Sequence, residues 1–149
     1  MHAKDAELAA ALTEQLGDEK IIAAAYARVD TALSPARMLS PLGNYLIARP
    51  AARAAAKKMT EETDLPLDAA VVFGVSDSAL HVWAADPMLN RVGEHLGQIP
   101  LERIASIKVE GGKSWQPVTI SMADGKSVEL EGRGSIHAVA AEFDKRKTR

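Results

Sequence analysis

VTISMADGKSVELEGRGSIHAVAAEF, residues 118–143, is the stretch whose reading decides the fold. Val118, Ile120 and Met122 alternate with polar residues, and so do Val128 and Leu130. Period-two alternation of this kind marks strands with one packed and one wet face. Between the two runs, Asp124-Gly125 is a two-residue hairpin signal, because glycine readily takes the positive φ that such turns require. Beyond Gly132-Arg133-Gly134 the period lengthens. Ile136, Val139, Ala140 and Phe143 recur at i, i+3, i+4 and i+7, an apolar face about 100° wide, and Ser135 stands where a helix N-cap belongs. A helix with such a face must bury it, and the packed side of the strands is the surface on offer.

Working outward, Arg103–Glu110 predicts another strand, with Ala105, Ile107 and Val109 inward and Ser106, Lys108 and Glu110 outward. Gly111-Gly112 turns it into Trp115–Met122, and the hairpin leads on to Lys126–Gly132 with Ser127, Glu129 and Glu131 outward. Further upstream, Leu96–Leu101 is a short segment in which Pro100 marks an edge or a strand end. It follows a loop containing Asp86-Pro87 and Asn90. Ala69–Val75 is a continuous apolar run suited to a central strand, and Ser76-Asp77-Ser78 turns it into Ala79–Ala85. There Leu80, Val82 and Ala84 share one face while His81 and Trp83 share the other.

The composition changes near Leu65-Pro66-Leu67, which divides the chain into 1–68 (helices and a first strand packed on the core) and 69–149 (the core and its closing helix). Leu8, Leu12 and Leu16 give Asp5–Leu16 a narrow apolar stripe, and Gly17 suits the left-handed residue that ends a helix. Lys20–Arg28 has two readings: Ile21, Ile22 and Tyr26 favour a strand, whereas Ala23–Ala25 and Ala27 favour a helix. Ser40-Pro41 signals a helix start, running to Met59 with a kink or restart at Pro50.

In 149 residues there is no cysteine, which excludes disulfides, thiolate metal sites and a cysteine nucleophile. Lys and Arg total 18 against 20 for Asp and Glu, a net charge of −2, so no global basic field attracts nucleic acid; only the Lys145–Arg149 end is a basic cluster. The first sixteen residues carry Lys4, Asp5, Glu7 and Glu14, unlike a secretory signal, and no stretch is long and apolar enough to span a bilayer. The expectation is a cytoplasmic protein.

Three stretches carry a family likeness: Val75–Trp83 with its acidic turn and aliphatic-aromatic return strand, Gln98–Glu110 with its isoleucine-proline-leucine opening, and Val118–Leu130 around Asp124-Gly125. Together with the closing helix they resemble the bacterial pleckstrin-homology-like (PH-like) domains, particularly the small actinobacterial ones. The likeness covers about residues 69–147, with Lys20–Tyr26 as a candidate first strand. It implies an α+β fold: an open antiparallel β-barrel of about seven strands capped by a C-terminal amphipathic helix, here with an N-terminal helical elaboration. It also implies a non-enzymatic binding scaffold without a cofactor. Two departures matter. The connection between the first two strands would be roughly forty residues long, so a lipid site placed there cannot be carried over residue by residue. The closing helix carries Phe143 where eukaryotic members typically carry tryptophan.

His2, His81, His95 and His137 show no i, i+4 pair, and no cysteine completes a metal site. His81 reads as a half-exposed histidine on an outer face. Gly132-Arg133-Gly134-Ser135 lacks the G-x-S-x-G pattern, and no P-loop or dinucleotide fingerprint follows it. Glu61-Glu62 and Glu129/Glu131 lie on solvated faces, where nothing raises a carboxyl pKa toward general-acid use. An enzyme would need a concave polar cluster around His81 or His95. The candidate contact residues are instead Arg49, Arg53 and Lys57, one row of cations on a helix, and Trp83 and Trp115, outward by alternation. The tryptophans are either covered by the N-terminal helices or free to touch a partner; the first is favoured. The expected function is a non-catalytic module that contacts a protein partner or a second copy. The alternative is an anionic membrane surface met by the basic helix around residues 40–58.

Overall fold

The computed structural model describes residues 3–29, 49–86, 91–111 and 115–147. The order is α1 (Ala3–Leu16), β1 (Ala23–Val29), α2 (Arg49–Thr63), β2 (Ala70–Val75), β3 (Ala79–Asp86), β4 (Arg91–Pro100), a 3-10 turn at Leu101–Arg103, β5 (Ile104–Val109), β6 (Gln116–Met122), β7 (Ser127–Gly132) and α3 (Ile136–Lys147). All seven strands form one antiparallel open sheet in the order β4-β3-β2-β1-β7-β6-β5, so the chain is α+β with a C-terminal helix.

Within Lys20–Arg28 the chain becomes a strand from Ala23 onward. β1 pairs with β2 from Ala23↔Val75 to Arg28↔Ala70 and with β7 from Ala27↔Gly132 to Val29↔Leu130, and so joins two meanders into one sheet. Tertiary pairing on both sides overrides the helical leaning of its alanines. Ala23, Ala25 and Ala27 face the main core, while Ala24 and Tyr26 face α1.

α3 contacts β1, β2, β5 and the 3-10 turn. Those elements lie far apart in the sheet order, so the sheet curls around the helix. Ile136, Val139 and Phe143 are buried in one cluster with Val118, Ile120, Val128 and Leu130. Lys145–Lys147 are helix rather than a free tail. Arg146 Nε lies 3.0 Å from Asp77 Oδ1 and its Nη1 2.5 Å from Glu142 Oε2, while Lys147 Nζ donates to the Leu101 carbonyl at 3.3 Å. Thr148 and Arg149 lie outside the described residues.

Several boundaries move. β4 is ten residues long, not a short segment from Leu96; its polar, glycine-containing first half is an exposed edge that hydropathy does not reveal. A bulge between Ile104 and Ser106 puts Ile104 and Ile107 in the core and leaves Ala105 exposed, against the simple alternation. Met122 N–H donates to the Lys126 carbonyl, so the hairpin loop is Ala123, Asp124 and Gly125, one residue longer than expected, with Gly125 at φ 95°. α2 starts at Arg49 with Pro50 in its first turn and runs past Met59 to Thr63; the expected start at Ser40-Pro41 lies outside the described residues. The Leu65-Pro66-Leu67 junction is packed, with Leu65 fully buried.

Phe143 is the largest buried side chain of α3. Phe143→Ala is expected to lower unfolding free energy by about 3–5 kcal/mol in a urea titration. A loss below about 1 kcal/mol would show that the helix does not close this core.

Candidate functional site

The face of the sheet opposite α3 carries the polar chemistry. Cross-strand pairs Tyr26↔Val72, Val72↔Trp83 and Trp83↔His95 form one row, and Ala24↔Gly74, Gly74↔His81 and His81↔Gln98 form the next. α1 lies over the middle of this face. Leu12 and Ala9 are buried, and Leu8 and Leu16 partly so, against Ile21, Ala24, Tyr26, Val72 and Trp83. Thr13 Oγ1 accepts from the Ile21 N–H at 2.9 Å, and Asp5 Oδ2 accepts from the Ser135 N–H at 2.8 Å. Through Asp5, α1 supplies an acceptor to the residue that opens α3, where an anion is also favoured by the helix dipole.

Beside the buried Trp83 runs a chain of three titratable groups. His81 is 1% exposed, which corrects the half-exposed reading. Its Nε2 lies 2.5 Å from Glu19 Oε2, and its Nδ1 lies 3.1 Å from His95 Nε2. Ser78 Oγ donates to Glu19 Oε1 at 2.5 Å. With a proton on Nε2, His81 donates to the carboxylate and accepts from the Nε2–H of His95, which satisfies every contact in the chain. The Ser78 hydroxyl, and after it the hydrogen bond and charge of His81, hold the Glu19 carboxyl below its ordinary 4.5 against the opposing effect of burial. Burial, then the His81 charge, hold His95 below its ordinary 6.5.

Trp83 is fully buried beneath α1, so the covered reading is the correct one for it. Its ring stacks on His81 at 5.7 Å and meets His95 edge-on at 5.1 Å, while among the described residues its Nε1–H has no hydrogen-bond partner. Gly74 makes room for it: a Cβ there would come within 2.9 Å of the Trp83 ring and 3.0 Å of Ile21.

The polar cluster that an enzyme would require around His81 and His95 therefore exists. Its geometry is linear, however: each group satisfies the next, and His81 is sealed between a partly exposed Glu19 and an exposed His95 on the edge strand. Among the described residues no three His, Cys, Asp or Glu side chains are placed to share a metal ion. Such a chain can store or pass a proton.

Trp115 has a different setting. It is half-buried at the start of β6, with the Arg28 guanidinium 4.0 Å over its ring and that of Arg133 at 5.3 Å. Arg133 also lies 4.7 Å over Tyr26, and Arg28 Nε bonds Glu131 Oε1 at 3.1 Å. Burial pushes the Tyr26 phenol up, opposed by the Arg133 charge. On α2, Arg53 and Lys57 are exposed while Ala52 and Ala56 pack on the core, as the helical spacing requires. Arg53 has Asp68 at 3.8 Å. The side chain of Arg49 lies outside the described residues, as does the apolar stretch Leu42–Ile47. Arg53 and Lys57 thus stand one turn apart on the exposed side of α2, while Trp83 and Trp115 lie in separate settings on the sheet.

Glu19, Arg28 and Arg133 are not legible in the sequence as site residues, and His95 is legible only as a centre that an enzyme would need. His95 lies fourteen positions from His81, and Glu19 sixty-two, so only the β3–β4 register and the fold of the α1–β1 link unite them. No protein-family profile and no curated protein matches this chain. Among the described residues no helix is long and apolar enough to cross a membrane.

Gly74→Ala drives a methyl into a buried ring and a buried isoleucine. The expected loss is about 1–3 kcal/mol in thermal or urea unfolding. An unchanged stability would mean that Trp83 does not lie over β2.

Proposed function

We propose that this chain is a non-catalytic PH-like module that contacts a protein partner or a second copy of itself through the sheet face at β1 and β7, centred on Trp115. The PH-like reading is supported by the two meanders joined through β1 and β7 and by the C-terminal helix held inside the curl of the sheet. The contact reading is carried by one observation: a half-buried indole flanked by two guanidinium groups, beside Tyr26 and Glu131, on a face that α1 leaves partly open. Tryptophan, tyrosine and arginine are the residues that dominate binding energy at protein interfaces. Both arginines are held by stacking, and Arg28 also by Glu131, which lowers the entropy lost on docking.

A membrane contact through α2 is the second reading, and the exposed Arg53, Lys57 and Lys58 favour it. Against it stand Asp68 beside Arg53 and Glu61-Glu62 one turn further on, which cut the positive field.

Sedimentation velocity over a wide concentration range, paired with liposome flotation, tests both. Self-association that Trp115→Ala abolishes, with stability changed by less than about 1 kcal/mol, is the expected result. If Trp115→Ala costs several kcal/mol and leaves association untouched, the patch is structural and the reading fails. Salt-sensitive flotation with anionic vesicles, lost in the Arg53→Ala/Lys57→Ala double variant, establishes the membrane reading in its place.

A further inference from the structure

We propose that Glu19, His81 and His95 form a proton-operated latch that holds α1 over the outer face of the sheet and releases it in mild acid, uncovering Trp83. Glu19 lies in the short link from α1 to β1, beyond Gly17, and reaches across to β3. It is therefore the polar pin at the C-terminal end of α1, as Asp5 on Ser135 is the pin at the other. Between them the helix is held by one narrow apolar stripe and by the Thr13–Ile21 contact.

The latch tolerates one added proton and not two. With one, either ring nitrogen of the 3.1 Å His81–His95 contact carries hydrogen and the other accepts. With two, both nitrogens carry hydrogen, the contact has no acceptor, and two imidazolium rings stand 5.3 Å apart between centroids. Trp83 stacks on one ring and edges the other, so separation of the rings disturbs the residue that α1 covers. Among the described residues the groups bearing on the pair are few. The α1–β1 link brings Glu19, the β2–β3 turn brings the Ser76 and Ser78 hydroxyls to that carboxylate, β4 brings neutral Gln98 opposite His81, and β2 and β1 bring only Gly74 and Ala24 in that row.

The sign follows from proton binding. His95 and Glu19 are both held below their ordinary values in the closed state, so that state binds fewer protons than the released one. Closure is therefore favoured at high pH, weakens as pH falls through about 6.5, and weakens again through about 4.5.

The test uses the full chain carrying Trp115→Phe, so that Trp83 is the sole tryptophan. Acrylamide quenching of Trp83 is expected to rise at least about two-fold between about pH 7.5 and about pH 5.5, with faster hydrogen exchange in residues 3–16 and unchanged protection in β6 and β7. His95→Gln removes the second proton and should abolish this rise. Glu19→Gln should leave Trp83 quenchable already at about pH 7.5. The proposal is overturned if quenching is the same at both pH values, if the rise persists in full in His95→Gln, or if β6 and β7 lose protection together with α1.

Discussion

The structure depends on a strand of alanines that is buried on both faces. β1 runs through the middle of the sheet and, among the described strands, is the one that joins both meanders. Ala23, Ala25 and Ala27 lie against the core that α2 and α3 close, and Ala24 lies under α1. Larger side chains would hold the helices away and open voids that a close-packed interior does not tolerate. The same residues that weaken strand propensity are thus what allows helices on two sides of one sheet. β1 forms because its backbone is paired twice, and the sheet is continuous because β1 forms.

What the sequence reveals and what it hides divide along the same line. Wherever one face is packed and the other wet, as in β6 and β7, alternation places every inward residue correctly, from Val118 to Leu130. The stripe of α3 reads equally well, because its burial depends on its own periodicity. Alternation also puts His81 and Trp83 on the same outer face. It cannot say that the face is covered, since the cover is α1, more than sixty residues earlier. Nor can it anticipate the β5 bulge, which lets Ile104 and Ile107 both reach the core across an odd spacing. The exposed first half of β4 has no hydrophobic pattern to read; its strand character comes from pairing with β3 alone.

One sheet face thereby acquires two environments. α1 has 14 residues, about 21 Å, enough to cross roughly four strands. It is pinned by Asp5 at the start of α3 and, just past its end, by Glu19 on β3. Trp83 falls inside that span and is sealed; Trp115 falls outside it and keeps its arginines for company. The two tryptophans, indistinguishable by alternation, differ because of where a helix stops.

That helix is also the element closest to balance. An isolated helix of this length is marginal in water, so α1 persists as a helix chiefly while docked, and undocking costs it its order as well as its contacts. Docking and helix formation then occur together, which makes the cover two-state. Among its described side chains only Leu12 and Ala9 are buried, so the apolar gain is modest beside the conformational entropy of the segment it orders. In a balance that close, a polar pin at one end carries weight out of proportion to its own strength. Placing a carboxylate–histidine–histidine chain at that end, rather than one more leucine, makes the closure of the face answer to protons; an apolar contact would have held it alike at every pH.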